Sequence, residues 1–320
     1  MALDVAHFLN MAQEQDIHLK SFAFLDAGKP HSLQLQHAYS DAVLDFHVEK
    51  MVRALCAFLN PQESVEKFHM SCGHFGGRHA IRVLQTLPGR CITEMDVDVS
   101  LVPSAGIVAV PEFVSAVGKL KALQEIGLNF VSLGNPVLAR LVTSSSALHT
   151  IRLGVDIRQW SHIVHMADED QLVTEAGWRA ATKRNGNFKV VMSIRALFNL
   201  SDFYLVLVPG MPLAELTVCI SNEFVQSIDC LVDHVTDHYA AHLETCELSW
   251  SSLVPTYPHG PRLAQLVNRC PRLEYLRLAI HLPVDIKVTI NIQPNSMAGC
   301  DVSGESATPN IWAAWSKQSQ

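Results

Sequence analysis

A triplet of apolar positions spaced i, i+3, i+5 recurs along this 320-residue chain, and no other feature constrains its fold as strongly. The stretch "NRCPRLEYLRLAIHLP" at 268–283 carries it as Leu273, Leu276 and Leu278. Seven earlier stretches repeat it: Leu19/Phe22/Phe24, Val65/Phe68/Met70, Ile92/Met95/Val97, Leu123/Ile126/Leu128, Leu148/Ile151/Leu153, Leu213/Leu216/Val218 and Leu243/Cys246/Leu248. A weaker copy, "NFKVVMSIR" at 187–195, reads as plain alternation with Val190, Met192 and Ile194 inward. A last one, "DIKVTINIQ", alternates Ile286, Val288, Ile290 and Ile292. The spacing is too short for a helix face and too irregular for simple strand alternation, so each copy reads as a turn feeding a short strand.

First positions at 19, 65, 92, 123, 148, 188, 213, 243 and 273 are separated by 46, 27, 31, 25, 40, 25, 30 and 30 residues. Most gaps lie near the leucine-rich-repeat period of roughly 20–29 residues, and the two long ones read as insertions. The intervening segments carry helical periodicity. Residues 41–59 put Leu44, Val48, Met51, Leu55 and Phe58 on one face. Segments 78–87, 110–120, 135–142, 168–184, 223–243 and 260–270 follow, with Pro111, Pro136 and Pro261 near helix starts, where proline is tolerated. Asp168, Glu169 and Asp170 read as a helix start, and 197–209 is ambiguous between helix and strand. A doubly wound sheet would need near-continuous apolar strands. Here Glu66, Lys67, Glu94, Asp96 and Asp98 interrupt them, so one strand face must meet water. The expected fold is therefore α/β: a leucine-rich-repeat solenoid (horseshoe) over 1–292 with about ten degenerate repeats. Its parallel sheet lines the concave face and its helices the convex face. The polar segment 293–320 is expected to be a flexible tail, with Trp312 and Trp315 capping the last repeat or folding on a partner.

The runs "LVNRCPRLEYLRLAI", "VTSSSALHTIRLGV" and "VGKLKALQEIGLNF" resemble the helix-end, C-P-x-L-x-x-L-x-L signature of F-box/leucine-rich-repeat proteins and their F-box-only relatives. The resemblance spans residues 18–292. It implies a horseshoe that holds a protein substrate for a cullin-type (SCF) E3 ubiquitin ligase, with a separate F-box binding the adaptor. The residues ahead of Leu19 carry no leading L-P with the helical run an F-box needs. Adaptor binding is thus expected only from an F-box outside this chain.

In a strand, alternate side chains face opposite ways, so the third, fifth and seventh positions of each copy should line the concave face. That places Lys67, His69, Glu94, Asp96, Asp98, Glu125, Gly127, Asn129, Arg152, Glu215, Glu247, Tyr275, Arg277 and Ala279 there. Ten strands at ~4.8 Å spacing span roughly 45 Å, ample for about 800 Å² of interface. Glu94, Asp96, Asp98 and Glu125 form an acidic patch that would suit a basic segment of a protein partner; the alternative is a solvated face that maintains solubility. Tyr275, Arg277 and Arg152 are residue types favoured as interface anchors.

Composition and motifs argue against other classes. Apolar residues make up 48% of the chain, enough for a large core, and the net charge of −7 disfavours nucleic acid as a partner. The eight cysteines form no C-x-x-C, which suits a reducing compartment, cytoplasmic or nuclear. No signal peptide and no membrane span are expected. There is no phosphate loop, H-E-x-x-H or G-x-S-x-G, so neither catalytic residues nor cofactors are expected. His234, His238 and His242 at four-residue steps could hold zinc, but read as a polar outer helix face, and no metal site is assigned. His69, Cys72, His74 and His79 read as a Gly-rich turn. The chain is expected not to be an enzyme. The rival readings are a non-ligase repeat scaffold or inhibitor, and an α/β metal-assisted enzyme.

Overall fold

Each apolar triplet becomes a turn and a strand: its first residue fills the core just before the strand, and its second and third are the strand's inward pair. A computed structural model describes residues 2–15, 17–25, 41–71, 77–98, 110–156, 163–164, 172–197, 200–220, 228–251, 260–281, 287–292 and 302–303. Ile92, Met95 and Val97 are each fully buried, as are the corresponding residues of the copies at 123, 213, 243 and 273 to within a few per cent. In the first copy Leu19, Phe22 and Phe24 are only half-buried, because no earlier repeat covers them.

The chain divides into two compact units. The first holds residues up to Arg152 with short additions at 168–173 and 183–188; the second holds nearly all the rest. In the first unit, strands β1 (Ser21–Leu25), β2 (Lys67–Ser71), β3 (Glu94–Asp98) and β4 (Glu125–Asn129) lie parallel and in chain order. Between and before them run α1 (Ala2–Glu14), α2 (Asp41–Leu59), α3 (Gly77–Thr86) and α4 (Val110–Val117), and α5 (Asn135–Ser144) follows. Each of these helices packs on the next one along the chain. In β2 and β3 burial alternates, so one side of each strand faces the core and the other is polar and open among the described residues, whereas β4 is buried from Ile126 onward.

Strand β5 (Thr150–Asp156) leads from the first unit into the second, which continues with α6 (Glu175–Arg184), β6 (Lys189–Leu197), α7 (Leu200–Val206), β7 (Leu213–Ile220), α8 (Ile228–Tyr239), β8 (Thr245–Ser251), α9 (Gly260–Arg269) and β9 (Tyr275–His281). Strands β6 to β9 are again parallel and in chain order. Helix α8 packs against both α7 and α9. The α/β architecture of parallel strands alternating with helices therefore stands in both units.

One backbone contact repeats from copy to copy. At five strands the carbonyl of the residue before the strand accepts two successive N–H groups from the next copy. Lys20 receives Glu66 and Lys67 at 2.8 and 3.2 Å, and Glu66 receives Thr93 and Glu94 at 2.8 and 3.1 Å. Thr93 serves Gln124 and Glu125, Gln124 serves His149 and Thr150, and Glu244 serves Glu274 and Tyr275 in the same way. This contact satisfies backbone groups at the point where the chain turns into the strand.

Two expectations need correction, and two segments left open by the sequence gain a structure. The copy at 285–293 is not a further parallel repeat: β10 (Lys287–Ile292) runs antiparallel to β9, and β11 (Val302–Ser303) antiparallel to β10. Only residues 282–286 separate β9 from β10, too few for the crossover a parallel neighbour requires. Helix α6 begins at Glu175, not at Asp168; the Thr174 hydroxyl accepts the Gly177 N–H at 3.2 Å and marks the start. Asp168 to Asp170 lie outside the described residues. The segment 2–14, assigned no structure from sequence, is α1, whose Ala6, Leu9 and Ala12 are buried as it packs on α2. The ambiguous 197–209 resolves into the end of β6 and helix α7. Of the expected tail, only β11 is described; Trp312 and Trp315 lie outside the described residues.

Candidate interaction surface

The open face of the first unit is built by register. Lys67 lies opposite Glu94, which lies opposite Glu125; His69 lies opposite Asp96, opposite Gly127; Ser71 lies opposite Asp98. Directly opposed side chains on one strand face are close enough to pair. Lys67 Nζ is 2.7 Å from Glu94 Oε2. Arg152 reaches back with Nη2 3.2 Å from Glu94 and Nη1 3.3 Å from Glu125. The ammonium of Lys67, then Arg152, holds the Glu94 carboxyl below its ordinary range, and Glu94 in turn raises Lys67. His69 Nδ1 lies 3.3 Å from Asp96, and the Ser71 hydroxyl donates to Asp98 at 3.3 Å.

The four-carboxylate patch is therefore not uniformly acidic, a correction to the expectation from sequence. Cations from the flanking repeats engage Glu94 and Glu125. Asp96 and Asp98 have the His69 ring and the Ser71 hydroxyl as neighbours rather than a lysine or arginine. Asp96 also leans over its neighbour: a Cβ added at Gly127 would fall 2.5 Å from Asp96 Oδ1. Asn129 is a second correction. At 9% exposure it is buried, because β4 runs into a short 3₁₀ turn at Phe130–Ser132, itself buried, that closes over the strand end.

On the open face of the second unit, Glu215 is exposed and Arg277 donates to Glu247 at 2.9 Å. Tyr275 is half-buried beside Thr245 in the register, while Ala279 is buried rather than facing solvent. Sequence reading omitted Lys189 and Arg195, both exposed on β6. Lys189 Nζ donates to Glu244, 2.8 and 2.6 Å from its two oxygens, and Arg195 lies opposite the exposed Cys219. Their signal was present, since Val190, Met192 and Ile194 pointing inward puts the odd positions outward.

The histidine groups separate. Helix α8 ends at Tyr239, so His242 sits in the following turn and not on a helical stripe. His238 is exposed, but His234 is buried at 8%, with Nε2 2.8 Å from the Leu207 carbonyl. It is thus not part of a polar outer face. His79 lies in α3 beside Glu49, at 3.6 Å, rather than in a loop; Cys72 and His74 lie outside the described residues. Among the described residues no three or more His, Cys, Asp or Glu side chains gather as a metal site would need. The six described cysteines are free, and burial pushes the Cys246 thiol up to about 12 and Cys270 to about 11, which leaves both unreactive.

Comparison with protein-family models and with curated proteins finds no match. Among the described residues no helix is long and apolar enough to cross a membrane.

Proposed function

We propose that the chain is a protein-recognition module that binds through its open strand faces and performs no bond chemistry itself. The observation that carries this reading is the cross-strand lattice of Lys67, Glu94, Arg152 and Glu125, which holds long, partly exposed polar side chains in place on one strand face. Ion pairs this exposed add little to stability. They do pre-position charges, which favours specificity and association rate over raw affinity. The partner is a protein with a basic segment that meets Asp96 and Asp98. On the strength of the F-box/leucine-rich-repeat resemblance, the partner is a client for ubiquitin transfer and the chain is the substrate-recognition region of an SCF-type ligase subunit, acting in the cytoplasm or nucleus. The same fold used as a non-ligase scaffold is the alternative.

The test is quantitative affinity capture with the wild-type chain and an Asp96→Lys/Asp98→Lys variant that retains the wild-type circular dichroism. A defined set of proteins recovered with the wild type and reduced at least tenfold with the variant is expected. Equal recovery with both removes this face from the function. A client whose lifetime is unchanged when the chain is depleted refutes the ligase role while leaving recognition intact.

A further inference from the structure

We propose that His234 is a proton-operated latch that fastens the end of α7 to α8 in the second unit. The neutral imidazole donates its Nε2 hydrogen to the Leu207 carbonyl at 2.8 Å. That carbonyl belongs to the residue just beyond α7, whose own N–H closes the last turn on Phe203 O at 2.7 Å. One imidazole therefore fixes the exit of a helix of only seven residues, too short to be stable without tertiary contacts. Rings complete the seat: Phe203 and Tyr204 of α7 lie with centroids 5.4 and 4.9 Å from His234, both edge-on. Phe203 is fully buried, whereas Tyr204 is half exposed and closes the outer side.

Protonation sets the latch against its surroundings. An imidazolium there would be almost wholly removed from water, which penalises the charged form. The groups that could respond are few. From α8, His238 stands 4.6 Å away ring to ring, and its charge opposes charge on His234. Asp237, also on α8, favours the charge, but α9 already engages it through Arg269 at 2.9 Å. Asp233 is the adjacent residue in the chain, and burial pushes the Tyr239 hydroxyl upward, away from ionisation. The helix-end carbonyl of Leu207 favours the cation, yet burial outweighs it, so the net direction is downward from the ordinary histidine value. An opened α7 would return His234 to water and to the ordinary value near 6.5. The open state therefore binds the proton more tightly. The latch holds fully above about pH 6.5 and weakens as the pH falls through that value toward the lowered one.

The consequence is local and reversible release of 200–208, the segment that joins β6 to β7 and so supports Arg195 and Glu215 on the open face. Each proton taken up on opening makes opening up to tenfold easier per pH unit, so ~5- to 30-fold is expected between pH 7.5 and 5.0.

Hydrogen–deuterium exchange of the whole chain at pH 7.5 and 5.0, corrected for intrinsic exchange, tests this. Protection in 203–207 should fall by that factor, while α3 and α5 of the first unit stay unchanged. His234→Gln keeps an N–H donor and cannot titrate; its protection in 203–207 should be independent of pH. Unchanged wild-type protection in 203–207 overturns the latch, as does an equal loss in α3 and α5, or a full pH response retained in His234→Gln. If that variant does not fold, His234→Phe, which keeps the ring packing, is judged by the same criterion.

Discussion

Gly89 is where one added methyl group should cost most. A Cβ there would lie 2.2 Å from the Lys119 carbonyl oxygen and 2.6 Å from its carbon. Both are backbone atoms, locked in turn because the Lys121 N–H donates to Gly89 O at 2.9 Å and Lys119 Nζ donates to Gln85 O at 3.1 Å. The turn after α3 and the turn after α4 thus nest against each other, and neither can move alone. Relief to an ordinary contact requires a backbone shift on the order of 1 Å, and forced shifts of this kind cost about 1–3 kcal/mol. Gly89→Ala should therefore lower the melting temperature by about 2–12 °C, taking about 2–4 °C per kcal/mol for a unit of this size. Gly118→Ala is the matched control. Its Cβ would meet Arg140 Nε at 2.5 Å, but that is the tip of an exposed, flexible side chain that can swing away. It should be neutral, or slightly stabilising because alanine narrows the unfolded ensemble. Among the described glycines only Gly210 has a left-handed φ, so backbone conformation confuses neither comparison. Thermal and urea denaturation followed by circular dichroism decides. Equal losses for the two variants, or no loss for Gly89→Ala, would refute the nesting argument.

Three further outcomes are expected. Gln62 is buried and holds the chain ahead of β1, accepting the Leu19 N–H at 2.9 Å and donating to Ile17 O at 2.7 Å; Gln62→Ala should cost about 1–2 kcal/mol and open residues 15–20 to limited proteolysis. The Tyr239 hydroxyl is buried with no hydrogen-bond partner among the described residues, so Tyr239→Phe should leave stability unchanged or raise it by about 1 kcal/mol, and a loss in urea denaturation would point to a further partner. Glu49 is held down to about 2, chiefly by Arg82 and then Arg53. Its folded value lies below its ordinary one, so its contribution is present above about pH 4.5 and lost as the pH falls toward 2. Wild type and Glu49→Gln should therefore differ at pH 6 and converge near pH 2 in denaturation midpoint; a constant difference contradicts the pairing.

The strand positions and their inward rows were legible in the sequence because burial on one side of a strand writes itself as period two. Val190, Met192 and Ile194 were read inward and all three are fully buried. The helix at 41–59 was legible for the same reason at period 3.6. The site was legible only as a set of outward positions. Its electrostatic character was not, because Arg152 lies 58 residues from Glu94 in the chain and becomes its neighbour only through packing of successive copies. Asn129 fits the outward pattern of letters and is nonetheless buried, since the turn that follows β4 determines what covers it.

The amino-acid order by itself determined the repeating unit: apolar triplets, intervening amphipathic helices and one polar strand face, all consequences of local periodicity. Tertiary structure decided what periodicity cannot encode. It chose the antiparallel return of β10, set by a connection too short for a crossover; it chose which carboxylates find a cation; and it sank His234 beneath α7 while His238, one turn on, stayed in water. Each depends on distances between residues far apart in the chain, and those distances exist only once the copies have stacked.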